Sequence, residues 1–261
     1  MSAQTQNFKI NDLSLVDDPF ASLALSARKI SIDTSEASRL AFLTDPFGLA
    51  VERYKLLRHQ LQLISPKGGL LLVTSPSPGD GKTLTSTNLA WSLAENKRRT
   101  CLLDLDLRRP GVSTSLGINS PDHGVVEVLD GVSTLSEAIT QVESNSLSIM
   151  GVREPLASPS RYLTSAVLHP FLLKLRAMFD WVIIDMPPAI PMSDVAEVIP
   201  YVDGALMIIR SGQTKKSLIG PTLEVLDSSL WGVVLNDSDI TGSGYYGYYG
   251  YSADRKQKKK P

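Results

Sequence analysis

One stretch constrains this chain more than any other: Leu70 to Thr83, read as Leu-Leu-Leu-Val-Thr-Ser-Pro-Ser-Pro-Gly-Asp-Gly-Lys-Thr. A β-favouring apolar run passes into a Gly/Pro-rich loop that ends in Gly-Lys-Thr, and a helical pattern begins at once. A loop of this kind binds nucleotide phosphates. Gly79 and Gly81 let backbone N–H groups approach phosphate oxygens, and the next helix N-terminus adds partial positive charge. Lys82 is placed to reach the β- and γ-phosphates, and the Thr83 hydroxyl to ligate Mg²⁺. The full motif has a glycine five positions before Gly81, where this chain has Pro76, so the loop is a variant of the standard form.

Two further apolar runs end in carboxylates. Thr100 to Pro110 reads as a buried-type strand closing in Asp104-x-Asp106-x-Arg108. Side chains two apart on an extended segment point the same way, so both carboxylates can face one site. Ligands of open parallel sheets bind beyond the carboxyl ends of the strands. Two carboxylates there would repel a triphosphate unless Mg²⁺ or a proton-accepting role intervenes. The third run, Trp181-Val-Ile-Ile-Asp185-Met-Pro-Pro188, has the form of a segment whose carboxylate holds Mg²⁺ directly or through water.

The remaining pattern alternates strands and helices. A helix is expected over residues 46–63, with Leu49, Tyr54, Leu57 and Leu61 on one face and Glu52, Lys55 and Arg58 at spacing three on another. Those charges can pair along the helix or reach a second subunit. Helices are expected near 82–96, 125–129, 135–139, 163–178 and 215–226. Strands are expected at 70–75, 147–150, 205–210 and, again of the buried type, 232–235. This order implies a parallel sheet with helices on both faces. Residues 1–45 read as a partly flexible N-terminal extension with at most short helices, covering part of the core or meeting a partner, 46–240 as the folded domain, and 241–261 as a disordered tail. That tail holds five of the chain's 8 tyrosines, Tyr245, Tyr246, Tyr248, Tyr249 and Tyr251, followed by Arg255, Lys256, Lys258, Lys259 and Lys260.

Composition narrows the class. With 43% hydrophobic and 20% charged residues the chain reads as an ordinary globular protein, and a net charge of −1 gives no global attraction to nucleic acid. No apolar run approaches the roughly 20 residues of a bilayer span, and the polar start lacks the features of a secretory signal. Cys101 is the only cysteine, so an intrachain disulfide is impossible and a paired-cysteine metal site is absent. A cytoplasmic location is expected.

Taken together, Pro78-Gly-Asp-Gly-Lys-Thr83, Leu102-Leu-Asp-Leu-Asp-Leu-Arg-Arg-Pro110, Val182-Ile-Ile-Asp-Met-Pro-Pro188 and the Tyr245–Tyr251 cluster resemble the bacterial tyrosine kinases, the cytoplasmic autokinases of capsule and exopolysaccharide export. The resemblance extends from about Pro46 to Tyr251. It implies a three-layer α/β P-loop fold with a mostly parallel sheet, of the deviant-Walker branch that includes nitrogenase iron protein and the cell-division ATPases. Those ATPases carry a signature lysine where this chain has Ser77, and the branch's iron–sulfur carriers need paired cysteines. The resemblance assigns ATP and Mg²⁺ to a site of Pro78, Gly79, Asp80, Gly81, Lys82, Thr83, Leu84, Arg108 and Asn236, the last on the adenine side. Thr83, Asp104, Asp106 and Asp185 are its implied metal ligands, with Lys82 and the three aspartates catalytic.

The family's oligomerisation pattern, Glu-x-x-Arg-x-x-Arg, reads here Glu52-x-x-Lys55-x-x-Arg58, which favours a subunit contact; Lys55 keeps the charge without the planar fork of arginine. By the same analogy the chain forms a homo-oligomeric ring, an octamer in the family. A membrane polysaccharide co-polymerase, or chain-length determinant, would activate it and recruit it to the inner face of the membrane, and a cognate tyrosine phosphatase would reverse its modification. Nucleic acid is not an expected partner. The competing reading is a nucleotide-switched ATPase that binds a membrane partner without kinase activity.

Overall fold

Parity along one strand divides the whole molecule. In β2 (Gly69–Thr74) every residue is buried. Leu70 and Leu72 join one apolar cluster, while Leu71 and Val73 join another. Alternating side chains emerge on opposite faces of a strand, so an uninterrupted apolar run can serve a strand covered on both sides. The structure, a computed structural model, describes residues 18–32 and 39–238.

The other strands are β1 (Arg28–Ile30), β3 (Thr100–Asp104), β4 (Thr140–Val142), β5 (Leu147–Met150), β6 (Trp181–Asp185), β7 (Gly204–Arg210) and β8 (Leu230–Asn236). They form one sheet in the order β1-β4-β5-β3-β6-β2-β7-β8. From β5 to β8 all neighbours are parallel; β4 runs antiparallel to β5, and β1 is parallel to β4. The helices are α1 (Pro19–Ser26), α2 (Ala41–Thr44), α3 (Leu49–Ile64), α4 (Lys82–Glu95), α5 (Val112–Leu116), α6 (Val125–Leu129), α7 (Leu135–Ala138), α8 (Ser165–Met178), α9 (Asp194–Val198) and α10 (Lys216–Leu226). Helices α2 to α5 send Phe42, Val51, Leu61, Leu89, Trp91 and Leu116 into the cluster with Leu71 and Val73. Leu23 of α1, Val125 of α6, Leu168 and Leu172 of α8, Val195 of α9 and Leu226 of α10 fill the opposite cluster. The result is the expected α/β sandwich of three layers with a mostly parallel sheet.

Two features differ from the sequence reading. The segment before residue 45 supplies more than short helices: β1 extends the sheet edge beside β4, while Leu23 and Ala27 enter one core and Leu40 and Phe42 the other, in line with a segment that covers part of the core. Strands of three residues, as β1 and β4 are, carry too little periodicity to be read from sequence. The 232–235 run is not buried on both sides. It lies in the edge strand β8, where Val233 is 49% and Leu235 57% exposed, because β8 ends the sheet and no further strand among the described residues pairs with it. Cys101 is buried in β3 as expected, and burial raises its thiol pKa. Among the described residues, no helix is long and apolar enough to cross a membrane. The tail tyrosines Tyr245 to Tyr251 and the basic run after them lie outside the described residues.

Leu40 shows how firmly the N-terminal segment is built in. It is fully buried, and the neighbouring Ala41 N–H donates to Asn88 Oδ1 of α4 at 2.8 Å. Leu40→Ala is therefore expected to lower the unfolding free energy by about 2–5 kcal/mol, as for other leucines cut back in a core. Chemical denaturation measures it. A change below about 0.5 kcal/mol, typical of surface sites, would show that this segment stands outside the cooperative fold.

Candidate active site

The register of three parallel strands sets the site. Asp185 on β6 is level with Asp104 on β3 and with Val73 on β2, so both carboxylates end their strands beside the loop that follows β2. That loop turns through left-handed backbone at Gly79 (φ 83°) and Gly81 (φ 98°) and delivers Lys82 as the first residue of α4. A side chain at Gly81 would also overlap the Asn236 amide, so this position is closed to larger residues twice over.

The charges converge. Lys82 Nζ lies 3.1 Å from Asp106 Oδ2. Thr83 Oγ1 donates to Asp185 Oδ2 at 2.7 Å, and Ser86 Oγ, three residues on and so on the same helix face, donates to Asp185 Oδ1 at 2.9 Å. Asp104 is occupied differently. Its Oδ1 accepts from the Asp106 N–H at 3.1 Å, and its Oδ2 from the Gly111 and Val112 N–H groups at 3.0 Å each. Asp104 thus shapes the turn that carries Asp106, while Asp106, itself buried, accepts from Lys82 at Oδ2 and from the Arg109 N–H at Oδ1 and lines a cavity. Burial pushes the Asp104 carboxyl well above the usual range, and the neighbouring Asp185 adds to it. Burial also raises Asp185, partly offset by the Lys82 charge and the two hydroxyl donors. For Lys82 burial acts to lower the pKa, but Asp185, Asp106 and Asp104 outweigh it and hold the ammonium above its ordinary value.

Two cavities flank Lys82. One, of about 410 Å³, is lined by Gly79, Gly81, Lys82, Thr83, Leu84, Asn236, Asp237, Arg39 and Arg210. The other, of about 600 Å³, lies between Lys82, Asp106 and Arg109 on one side and Leu156, Pro188, Ile190 and Met192 on the other. Pro78 and Gly79 border the second, apolar-walled cavity as well. Arg108, read from sequence with the nucleotide-binding residues, lies along this second cavity and not the first. Its guanidinium is committed to Asp194 of α9 at 2.9 and 3.2 Å and to the Ala157 carbonyl at 3.2 Å.

The loop is clamped from outside. Asp80 is 2% exposed; its Oδ2 accepts from the Ser77 N–H at 2.9 Å and its Oδ1 from the Thr214 hydroxyl at 2.7 Å. Asn236 Nδ2 donates to the Asp80 carbonyl at 3.0 Å. Asn236, expected beside the adenine, therefore also braces the loop. On α3, Lys55 and Glu52 pair at 2.9 Å along the helix, and Arg58 Nη1 donates to the Ser92 carbonyl of α4 at 2.8 Å. Sequence reasoning missed Ser86, Thr214, Asp194 and Arg39. Only Ser86 had a signal, its helical spacing from Thr83.

Hard oxygen donors fit Mg²⁺ here. Among the described residues, no group of three carboxylate, histidine or cysteine side chains is arranged to hold a metal. Mg²⁺ seldom needs such a cage, since it takes one or two carboxylates and completes its shell with water and substrate phosphate. The adjoining Thr83 hydroxyl and Asp185 carboxylate would supply the protein share of such a set.

Fold and site define a P-loop nucleotide-binding protein of the deviant-Walker architecture. A family described as an AAA domain matches residues 73–210. The chain is 32% identical over 202 residues to the tyrosine-protein kinase CpsD of Streptococcus pneumoniae serotype 4, covering 75% of this chain and 88% of that one. It is 28% identical over 221 residues to the tyrosine-protein kinase YwqD of Bacillus subtilis, covering 83% and 93%. The crystal structure of the VpsO kinase domain superposes with a TM-score of 0.67 at 28% identity, over 73% of this chain and 96% of that one. The chain belongs to the bacterial tyrosine-kinase family.

The clamp carries a prediction. Thr214→Val removes one donor from a buried carboxylate, which is expected to cost about 1–3 kcal/mol of stability and to weaken Mg-ADP binding. Denaturation and calorimetric titration measure the two effects. If neither changes, Asp80 does not depend on Thr214 and the loop is held by other means.

Proposed function

We propose that this protein is an ATP- and Mg²⁺-dependent protein-tyrosine kinase that phosphorylates its own tail tyrosines, Tyr245, Tyr246, Tyr248, Tyr249 and Tyr251. One observation carries the reading: Lys82, Thr83, Asp106 and Asp185 converge between a polar cavity beside the phosphate-binding loop and an apolar-walled cavity wide enough for a phenol ring. ATP is assigned to the first cavity, its β- and γ-phosphates held by loop amides and Lys82, with Leu84 and Asn236 further along it. Mg²⁺, bound through Thr83 and Asp185, would neutralise phosphate charge.

The acceptor phenol enters from the second cavity. Its oxygen attacks the γ-phosphorus, the new O–P bond forms as the bond from γ-phosphorus to the β,γ-bridging oxygen breaks, and ADP departs. The phenolic proton passes to Asp106, the member of the Asp104–Asp106 pair that borders the open cavity. Asp104 orients it through the backbone, and Asp185 holds Thr83 and Ser86. Most of the acceleration in such a transfer comes from positioning and charge neutralisation, which a site of amides, one lysine and carboxylates can supply.

The relatives' names connect this chemistry to polysaccharide export: one matching protein, of which this chain covers 24%, is the succinoglycan biosynthesis transport protein ExoP of Rhizobium meliloti. The same role, with a membrane co-polymerase as partner, is proposed here. Transfer between subunits would raise the effective concentration of the tail. Support for a subunit contact lies on α3, where Leu49, Leu56 and Leu63 recur at spacing seven and are 51%, 55% and 68% exposed. An octameric ring, a cognate phosphatase and recruitment to the inner membrane face remain part of the proposal on family analogy.

Intact mass after incubation with Mg-ATP tests the kinase reading. Steps of about +80 Da mapping to the tail tyrosines are expected for the wild type and none for Lys82→Met. Nucleotide binding without any mass shift, with or without fragments of a co-polymerase, would leave an ATPase switch as the function. Charge makes a second prediction. Three phosphotyrosines add about −4.5 to −6 charges against the five Lys and Arg residues that follow Tyr251. The multiply phosphorylated protein should therefore sediment as a smaller species than the unmodified one, and equal sedimentation would refute a tail-charge switch.

A further inference from the structure

The nucleotide cavity is bordered by three cations, and two of them are already paired. Lys82 is held at 3.1 Å by Asp106, and Arg210 at 2.9 Å by Asp237. The third, Arg39, lines the cavity with an exposed side chain and has no ion-pair partner among the described residues. It comes from the segment before the loop-bearing domain, 40 positions upstream of the nearest loop glycine in the chain, Gly79.

Its backbone is fixed with unusual thoroughness for an exposed residue. The Arg39 N–H donates to the Ser115 carbonyl of α5 at 3.1 Å, and its carbonyl accepts from Asn88 Nδ2 at 3.3 Å. The next residue, Leu40, is fully buried, and the N–H of Ala41 donates to Asn88 Oδ1 at 2.8 Å. Asn88 also donates to the Leu84 carbonyl at 3.0 Å, and Ser115 N–H to the Gly111 carbonyl at 2.9 Å. Gly111 in turn sits against Thr83. The Arg39 main chain is thus tied to the first turns of α4 and to the turn beside Thr83, while its long side chain is left free over the cavity. That arrangement orders the root of a guanidinium and leaves its five donors unspent.

We infer that Arg39 is a nucleotide-binding residue, whose guanidinium contacts the α- and β-phosphate oxygens of the nucleotide held in this cavity. A guanidinium forms paired, charge-assisted hydrogen bonds to phosphate that a compact ammonium cannot reproduce. The inference rests on the reading of this cavity as the ATP site. It adds to that site a ligand from outside the three sequence motifs.

Calorimetric titration with Mg-ADP, and competition by magnesium pyrophosphate, test it on the full chain and on Arg39→Ala, Arg39→Lys and Arg39→Glu. Loss of a hydrogen bond to a charged group predicts about 10- to 100-fold weaker Mg-ADP binding by Arg39→Ala. A similar loss is expected for pyrophosphate, partial recovery in Arg39→Lys, and a larger loss in Arg39→Glu. Thermal melting of Arg39→Ala without nucleotide should match the wild type, since only an exposed side chain is removed. Unchanged Mg-ADP affinity in Arg39→Ala overturns the inference, and so does a loss confined to ADP, which would place Arg39 on the base. If the wild type itself binds no Mg-ADP, the assignment of the cavity fails and the inference with it; binding by the wild type with an unaffected Arg39→Ala refutes Arg39 alone.

Discussion

Two aspartates at matched register on adjacent parallel strands, Asp104 and Asp185, are buried side by side with Lys82 in their midst. Burying like charges is among the costlier things a fold can do, and it persists only where protons, cations or hydrogen bonds compensate. Here the compensation defines the surrounding structure. Three backbone N–H groups turn toward Asp104, two hydroxyls of α4 toward Asp185, and the Lys82 ammonium stands beside Asp106. The loop, the first turn of α4 and the turn after β3 are each shaped by one of these compensations.

A second layer holds the loop from behind. The Asp80 carboxylate faces away from Lys82, toward Ser77 and Thr214, and its carbonyl is capped by Asn236 at the end of β8. The segments after β7 and at the end of β8 are thereby mechanically joined to the phosphate-binding loop. Arg108, which lines the second cavity, and Asp194 form a comparable bond between the turn after β3 and the start of α9. Both cavities are consequently framed by strand ends and short connections drawn from distant parts of the sequence, as open parallel sheets favour.

How far the sequence revealed this depends on the range of the information. The core strands β2, β3 and β6 were legible because burial on both faces demands continuous apolar runs, and each run ends in a residue with chemistry. Lys82, Thr83, Asp104, Asp106 and Asp185 come together as their strand-end positions required. What escaped was held by partners far away in the chain. Thr214 stands 134 residues from Asp80 and Asp194 86 from Arg108, and neither position carries a local pattern. The edge strands escaped for another reason. β1 and β4 are too short to show alternation, and the apolar run of β8 gave no sign that one flank would stay open. Glu52 and Lys55 had two readings at spacing three, and in the single chain they pair along the helix.

The N-terminal segment changes what counts as the functional unit. Its apolar residues are scattered among Ser and Asp with no sustained period, so no pattern in isolation marks what it buries. Yet Leu23, Ala27, Leu40 and Phe42 are distributed between the two apolar clusters, one on each face of the sheet. A segment that inserts side chains on both faces must pass around the sheet edge, and β1 lies at that edge. Residues 39–41 pack against the middle of α4, where Asn88 bonds the Arg39 carbonyl and the Ala41 N–H. A side chain amide that satisfies two backbone groups of a passing segment fixes the register of that contact, because a shift by one residue would leave buried polar groups unpaired. The position of Arg39 over the nucleotide cavity is therefore a consequence of how Leu40 is buried, and not an accident of a loose end.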